Sequence, residues 1–135
     1  MRIYTDGSKF EKTTTAAVWI PETGYEESWK LEGGENISIM GAEFFAISKV
    51  IEWIVLNGEF QANKQVVILT DSMSTLQTLE HWYKTKYQTA VNKIIGFSRI
   101  LADMDFSLEL QWVISHIGID GNKKVDQLAN GATRK

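Results

Sequence analysis

Five residues of this chain could do chemistry together: Asp6, Glu43, Asp71, Asp126 and His116. Asp6 closes the stretch RIYTD (2–6) and Asp71 closes QVVILTD (65–71), so each reads as the carboxyl end of a short strand. Neighbouring strands lie about 4.8 Å apart, which would set the two carboxylates side by side. Glu43 stands above Ile47, Ile51 and Ile54, the apolar stripe of a helical segment, and so points towards the sheet top. Asp126 lies beside Val125 and Ala129 in the first turns of a last helical pattern. Four acids in one small volume repel by several kcal/mol at low effective dielectric, so their convergence calls for a cation. Oxygen ligands without cysteine select hard ions such as Mg²⁺ or Mn²⁺. Plainer roles exist for each acid taken singly. A strand-end aspartate commonly caps a turn, Asp71 directly before Ser72 stands where a helix cap would, and Glu43 could simply favour a helix N-terminus.

His116 belongs to SHIGIDGN (115–122), where Gly118 and Gly121 let the backbone turn sharply and approach a ligand. That loop follows an apolar strand and leads into the helix of Asp126, so it has the position of a site's mouth. The other histidine, His81, has no such setting, and a structural role at or near the surface is expected for it. WYKTKY (82–87) interleaves two lysines with aromatics, a pattern suited to nucleic-acid contact but equally to a solvated helix end.

The elements that must position these groups follow from periodicity and punctuation. RIYTD (2–6), stopped by Gly7, TTAAVWI (14–20), closed by Pro21 and Gly24, and EESWKLEG (26–33) form an antiparallel meander. A helix is expected over 41–58, with Phe44, Ile47, Ile51, Ile54 and Val55 on its buried stripe and Asn57-Gly58 at its end. QVVILTD (65–71) is a continuous apolar run, as in a strand covered on both faces. Two helices follow, from Ser72 to about Tyr83 and from Gln88 to about Met104, then a strand at 107–114 and a last helix from near Asn122. The order βββαβααβα, with right-handed crossovers, predicts an α/β protein: a mixed five-stranded sheet with helices on both faces. Its ligand edge is expected at the carboxyl ends of the parallel strands.

Composition narrows the classes. The 135 residues fit a single domain, 1–135, and 44% hydrophobic with 23% charged residues is a globular balance. No apolar run reaches the roughly 18 residues of a membrane span, and no signal-peptide core opens the chain. With no cysteine, disulfides and thiolate metal sites are excluded; the expected location is intracellular (cytoplasm or nucleus), with which the lack of cysteine is compatible without demonstrating it. The net charge of −3 is unusual for a nucleic-acid binder, whose affinity rests on phosphate neutralisation. Acidic metal ligands, or neighbouring modules that hold the substrate, would account for it.

YTDGS (4–8), AEFFAI (42–47), LTDS (69–72) and WVISHIGIDGNKKVDQLAN (112–130) together resemble the ribonuclease H family across residues 2 to about 133. The last stretch is most similar to the version attached to reverse transcriptases of non-LTR retrotransposons. The resemblance implies the ribonuclease H-like sheet order 3-2-1-4-5 and a two-metal endoribonuclease that cuts the RNA strand of an RNA–DNA hybrid. It implies two Mg²⁺ ions, with Mn²⁺ as a substitute. Asp6 would bridge both, Glu43 and Asp71 would hold one, and Asp126 would help to hold the other. His116 would assist proton transfer or product departure, with Asn122 anchoring its loop. Ser38 matches the position that holds a substrate phosphate, and Gly7, Ser8 and Ser72 adjoin the acids as further substrate contacts. An isolated domain of this kind is expected to be a monomer, excised from a polyprotein that also holds a reverse transcriptase, with no membrane partner.

The match has departures. Ile39 and Met40 stand where cellular members commonly carry asparagines for groove contact, and Lys123 replaces a usual glutamate three positions before Asp126. A non-catalytic binding or spacer module is the alternative to an enzyme, disfavoured by retention of all four acids and the histidine. A transposase or integrase would carry a glutamate on its late helix, and a proofreading exonuclease a D-x-E on its first strand. Here the residues are Asp126 and Asp6-Gly7-Ser8.

Overall fold

The computed structural model describes residues 1–33, 36–58, 63–81, 87–113, 124 and 127–129. Five strands form one sheet: β1 (Arg2–Phe10), β2 (Thr13–Ile20), β3 (Tyr25–Lys30), β4 (Gln65–Thr70) and β5 (Ser107–Trp112). Their order is β3-β2-β1-β4-β5, with the first three antiparallel and β4 parallel to both β1 and β5. This is the mixed sheet and the order expected from the sequence. Three helices complete the described elements: α1 (Ile39–Asn57), α2 (Met73–Glu80) and α3 (Gln88–Asp103).

One sheet face is covered by α1, whose Phe44, Ile47, Ile51 and Ile54 are fully buried against Ile3, Val18, Ile20 and Ile68. Each such side chain contributes about 1.5–3 kcal/mol on leaving water. Helix α3 adds Val91, Ile94 and Leu101 to the same core. The opposite face carries Tyr4, Ala17 and Leu69, packed with Leu128 and Ala129 of the last helical stretch. Thr15 Oγ1 donates to Ala129 O at 2.8 Å, which ties that stretch to β2. Helices therefore lie on both faces. Among the described residues, no helix is long and apolar enough to cross a membrane.

Several boundaries differ from expectation for physical reasons. Strand β1 does not stop at Gly7, because its hairpin ladder with β2 continues to Phe10 opposite Thr13. The glycine serves packing and not termination. A Cβ there would sit 2.8 Å from Ala42 Cβ and 2.9 Å from Ile39 O, so only glycine lets the start of α1 lie directly on the strand. Strand β3 ends at Lys30, three residues short of the expected range, and Gly33 beyond it has φ +69°. Helix α2 ends at Glu80 and not near Tyr83, because the His81 N–H turns back to Thr78 O at 3.1 Å and closes the last turn, and β5 ends at Trp112, two residues short of 114. The start of the last helix near Asn122 lies outside the described residues.

Candidate active site

Three of the four acids come together at one edge. The parallel ladder joins Arg2–Tyr4 of β1 to Val67–Leu69 of β4. Asp6 and Asp71 both lie two residues beyond it, so the two parallel chains deliver their carboxylates to the same level. Asp6 is mid-strand and not strand-terminal, but its position relative to β4 is the one its motif predicts. Glu43 enters from above as the fifth residue of α1. Carboxylate oxygens of Asp6, Glu43 and Asp71 lie within 4.8 Å of one another. Asp6 is 4% and Glu43 2% exposed, while Asp71 is half-buried.

The plainer roles of Asp71 and Glu43 are taken by their neighbours. Ser72 caps α2, accepting from Thr75 N at 3.3 Å, so Asp71 is not the cap. Its backbone carbonyl is fixed by Trp112 Nε1 of β5 at 3.2 Å. Ser38 caps α1, accepting from Gly41 N at 3.0 Å, and Glu43 is buried one turn further in. Glu43 is instead held by Gly7, whose N–H donates to Oε1 at 3.0 Å. The residue that allows α1 to approach thus also anchors the acid that α1 brings.

The electrostatics of the cluster are those of a site built for a cation. Burial first, and the nearby Asp71 charge second, raise the Glu43 carboxyl from 4.5 to about 8. The Gly7 N–H and the Asp6 and Thr70 side chains act in the opposite direction without offsetting this. Glu43 Oε2 is buried and has no hydrogen-bond partner among the described residues. A buried, unpaired carboxylate oxygen facing two further carboxylates matches the donor set of a hard divalent cation. Asp6, Glu43 and Asp71 therefore fit a metal ion.

His116, Asn122, Asp126 and Lys123 lie outside the described residues. Ser8 follows Asp6 on the same face of β1, opposite Thr15. Ser38 is exposed at the N-terminus of α1, with Ile39 beside it 50% exposed and Met40 half-buried, its sulfur accepting from Thr78 Oγ1 at 3.7 Å. His81 is exposed and its Nδ1 bonds the Gln77 carbonyl at 3.0 Å, the surface structural role expected for it. Of WYKTKY only Tyr87 is described, and its hydroxyl lies 2.7 Å from Ser38 Oγ, a pairing the motif itself does not indicate. No local pattern marks a contact between residues 49 positions apart. The Gly7–Glu43 bond was equally hidden, although a glycine directly after a site aspartate is a signal for close backbone approach.

Residues 1–134 match the family model described as RNase H. A direct comparison with curated proteins returns no match. Among solved structures, the chain is similar to LC11-RNase H1, isolated from compost by a metagenomic approach, with TM-score 0.73 and 22% identity over 98% of this chain and 94% of that one. LC11-RNase H1 in complex with an RNA/DNA hybrid gives TM-score 0.71 and 21% identity over 98% and 96%. RNase H1 from the halophilic archaeon Halobacterium salinarum NRC-1 gives 0.64 and 17% over 97% and 95%. At these identities the structures speak for the fold alone, while the sequence match spans nearly every residue. The chain belongs to the RNase H family.

Proposed function

We propose that this ribonuclease H hydrolyses the RNA strand of RNA–DNA hybrids by a two-metal-ion mechanism. The observation that carries the proposal is the Asp6–Glu43–Asp71 cluster, with carboxylate oxygens within 4.8 Å of one another and Glu43 Oε2 buried without a partner. Asp6, Glu43, Asp71 and Asp126 would hold two Mg²⁺ ions, or Mn²⁺ in their place. When bound, such ions activate the attacking water and stabilise the leaving oxygen of an in-line displacement. The protein's part is to fix the carboxylates before substrate arrives. Gly7 N–H orients Glu43, and Trp112 Nε1 pins the Asp71 backbone. His116 takes or delivers a proton at the scissile phosphate, and Asn122 anchors its loop.

The hybrid is held through phosphates and hydroxyls over a wider surface. Ser38, at the positive end of the 19-residue helix α1, is placed to hold a phosphate, with Gly7, Ser8 and Ser72 as nearer contacts. Discrimination for RNA comes from the 2′-hydroxyl in the minor groove. A hybrid as substrate is supported by the complex of LC11-RNase H1, a protein of the same fold, with an RNA/DNA hybrid. The HIGIDGNKKVD stretch supports an origin in a non-LTR retrotransposon, beside a reverse transcriptase domain and inside the cell, where such hybrids arise. Labelled RNA–DNA hybrid, double-stranded RNA and single-stranded RNA, incubated with Mg²⁺, Mn²⁺ or chelator, test the proposal. Cutting confined to the hybrid and abolished by chelator is expected. Cutting that survives chelator, or that ignores the DNA strand, refutes it.

A further inference from the structure

We infer that Tyr87 is a positioning residue for substrate binding, acting through Ser38. The inference rests on the proposal that Ser38 holds a substrate phosphate. Ser38 Oγ accepts from Gly41 N at 3.0 Å and shares a hydrogen bond of 2.7 Å with the Tyr87 hydroxyl. A serine hydroxyl has two acceptor lone pairs and one proton. The Gly41 N–H occupies one lone pair. In the bond to Tyr87 either oxygen could donate. A phenol is the stronger acid of the two, so donation from tyrosine to serine is the favoured direction. Both serine lone pairs are then engaged inside the protein, and its single proton is left to point outward. An exposed hydroxyl with its proton directed away from the protein is a prepared donor to a phosphate oxygen, and it sits at a helix N-terminus where anions are favoured. The Lys9 ammonium, 3.2 Å from the Ile37 carbonyl, adds positive charge beside the same turn.

The two residues come from different elements, so the orientation is a tertiary device and not a local one. Tyr87 precedes α3, and its ring lies 5.3 Å from that of Phe44 on α1. The ring packs the two helix starts together while the hydroxyl sets the serine. Tyr87→Phe keeps the ring and removes only the hydroxyl, which separates the two roles.

The test is steady-state cleavage of an RNA–DNA hybrid by wild type, Tyr87→Phe, Ser38→Ala and the double variant, with thermal unfolding alongside. The inference expects Tyr87→Phe to raise KM about three- to tenfold, the loss of one hydrogen bond, with kcat and melting temperature nearly unchanged. It also expects the double variant to match Ser38→Ala, because Tyr87 has no effect without the serine. If Ser38→Ala raises KM but Tyr87→Phe does not, or if the two effects multiply in the double variant, Tyr87 does not act through Ser38. A lowered melting temperature with unchanged KM assigns Tyr87 to packing alone and equally overturns the inference. If Ser38→Ala itself leaves KM unchanged, the fault lies in the phosphate role of Ser38, and the inference falls with it.

Discussion

Replacing the ionisable carboxyl of Glu43 with a neutral amide should make the metal-free protein more stable while abolishing its activity. The carboxyl is 2% exposed, is raised from 4.5 to about 8 by burial and by Asp71, and leaves Oε2 without a partner. Between those two values the folded chain binds a proton that the unfolded chain has released. Stability therefore falls as pH rises through this window and levels off above it. Each pH unit is worth about 1.4 kcal/mol, so at pH 7 the acid costs the fold about 3 kcal/mol relative to pH 4.5. Glu43→Gln keeps an oxygen for the Gly7 N–H and cannot ionise, so it removes that cost. For a chain of this size the gain corresponds to about 10 °C in melting temperature. The assay is thermal unfolding of both proteins in chelator from pH 4 to pH 8.5, repeated with Mg²⁺. The variant should gain nothing at pH 4 and most near pH 8. Added Mg²⁺ should raise the melting temperature of wild type much more than that of the variant. A gap that is constant with pH, or a variant less stable than wild type at pH 8 in chelator, would refute the reasoning.

Other perturbations separate the parts of the site. Asp71→Asn keeps shape and removes one charge, so hybrid cleavage should fall by several orders of magnitude while a gel shift on the same hybrid shows binding retained or tightened. His116→Ala should slow turnover and leave the calorimetric metal titration close to wild type, because a proton-transfer group is not a ligand; a loss as large as that of an Asp6 variant contradicts the role. Gly7→Ala puts a Cβ 2.8 Å from Ala42 Cβ, so α1 must shift. It should lower stability by about 1–3 kcal/mol in urea unfolding and reduce cleavage by displacing Glu43. Cleavage by wild type should fall steeply as salt rises, since binding rests on phosphate contacts, and a flat response would contradict that account.

The mixed five-stranded sheet and the inward turn of Glu43 were readable from sequence because both rest on periodicity, while the strand order came from the resemblance to the ribonuclease H family. The Val66–Leu69 run of β4 is continuously apolar, which places it inside the sheet, and the spacing of Ile47, Ile51 and Ile54 turns Glu43 inward. What sequence obscured was the use of small residues. Gly7 reads as a strand terminator, yet it lies within a nine-residue strand and clears room for a helix. Asp71 and Ser72 are both good cap residues, and only the geometry assigns the cap to Ser72 and leaves the acid for the cluster. The Ser38–Tyr87 contact joins two helix starts, and no local propensity encodes a pairing of that range.

The acidic character of the chain and the unstable state of Glu43 have one physical origin. Three carboxylates held within 4.8 Å by a strand pair and a helix start oppose folding unless their charge is neutralised. At neutral pH the metal-free chain achieves this in part by keeping a proton on Glu43, whose value lies near 8. Divalent cations would displace that proton and pair the unpartnered Oε2, turning a destabilising acid cluster into a cross-link between β1, β4 and α1. The same ions would change how the domain meets a polyanion. The formal net charge of −3 becomes +1 on adding the four charges of two divalent ions. With the two ions proposed above, an acidic domain would bind nucleic acid with its attraction concentrated at the point of cleavage.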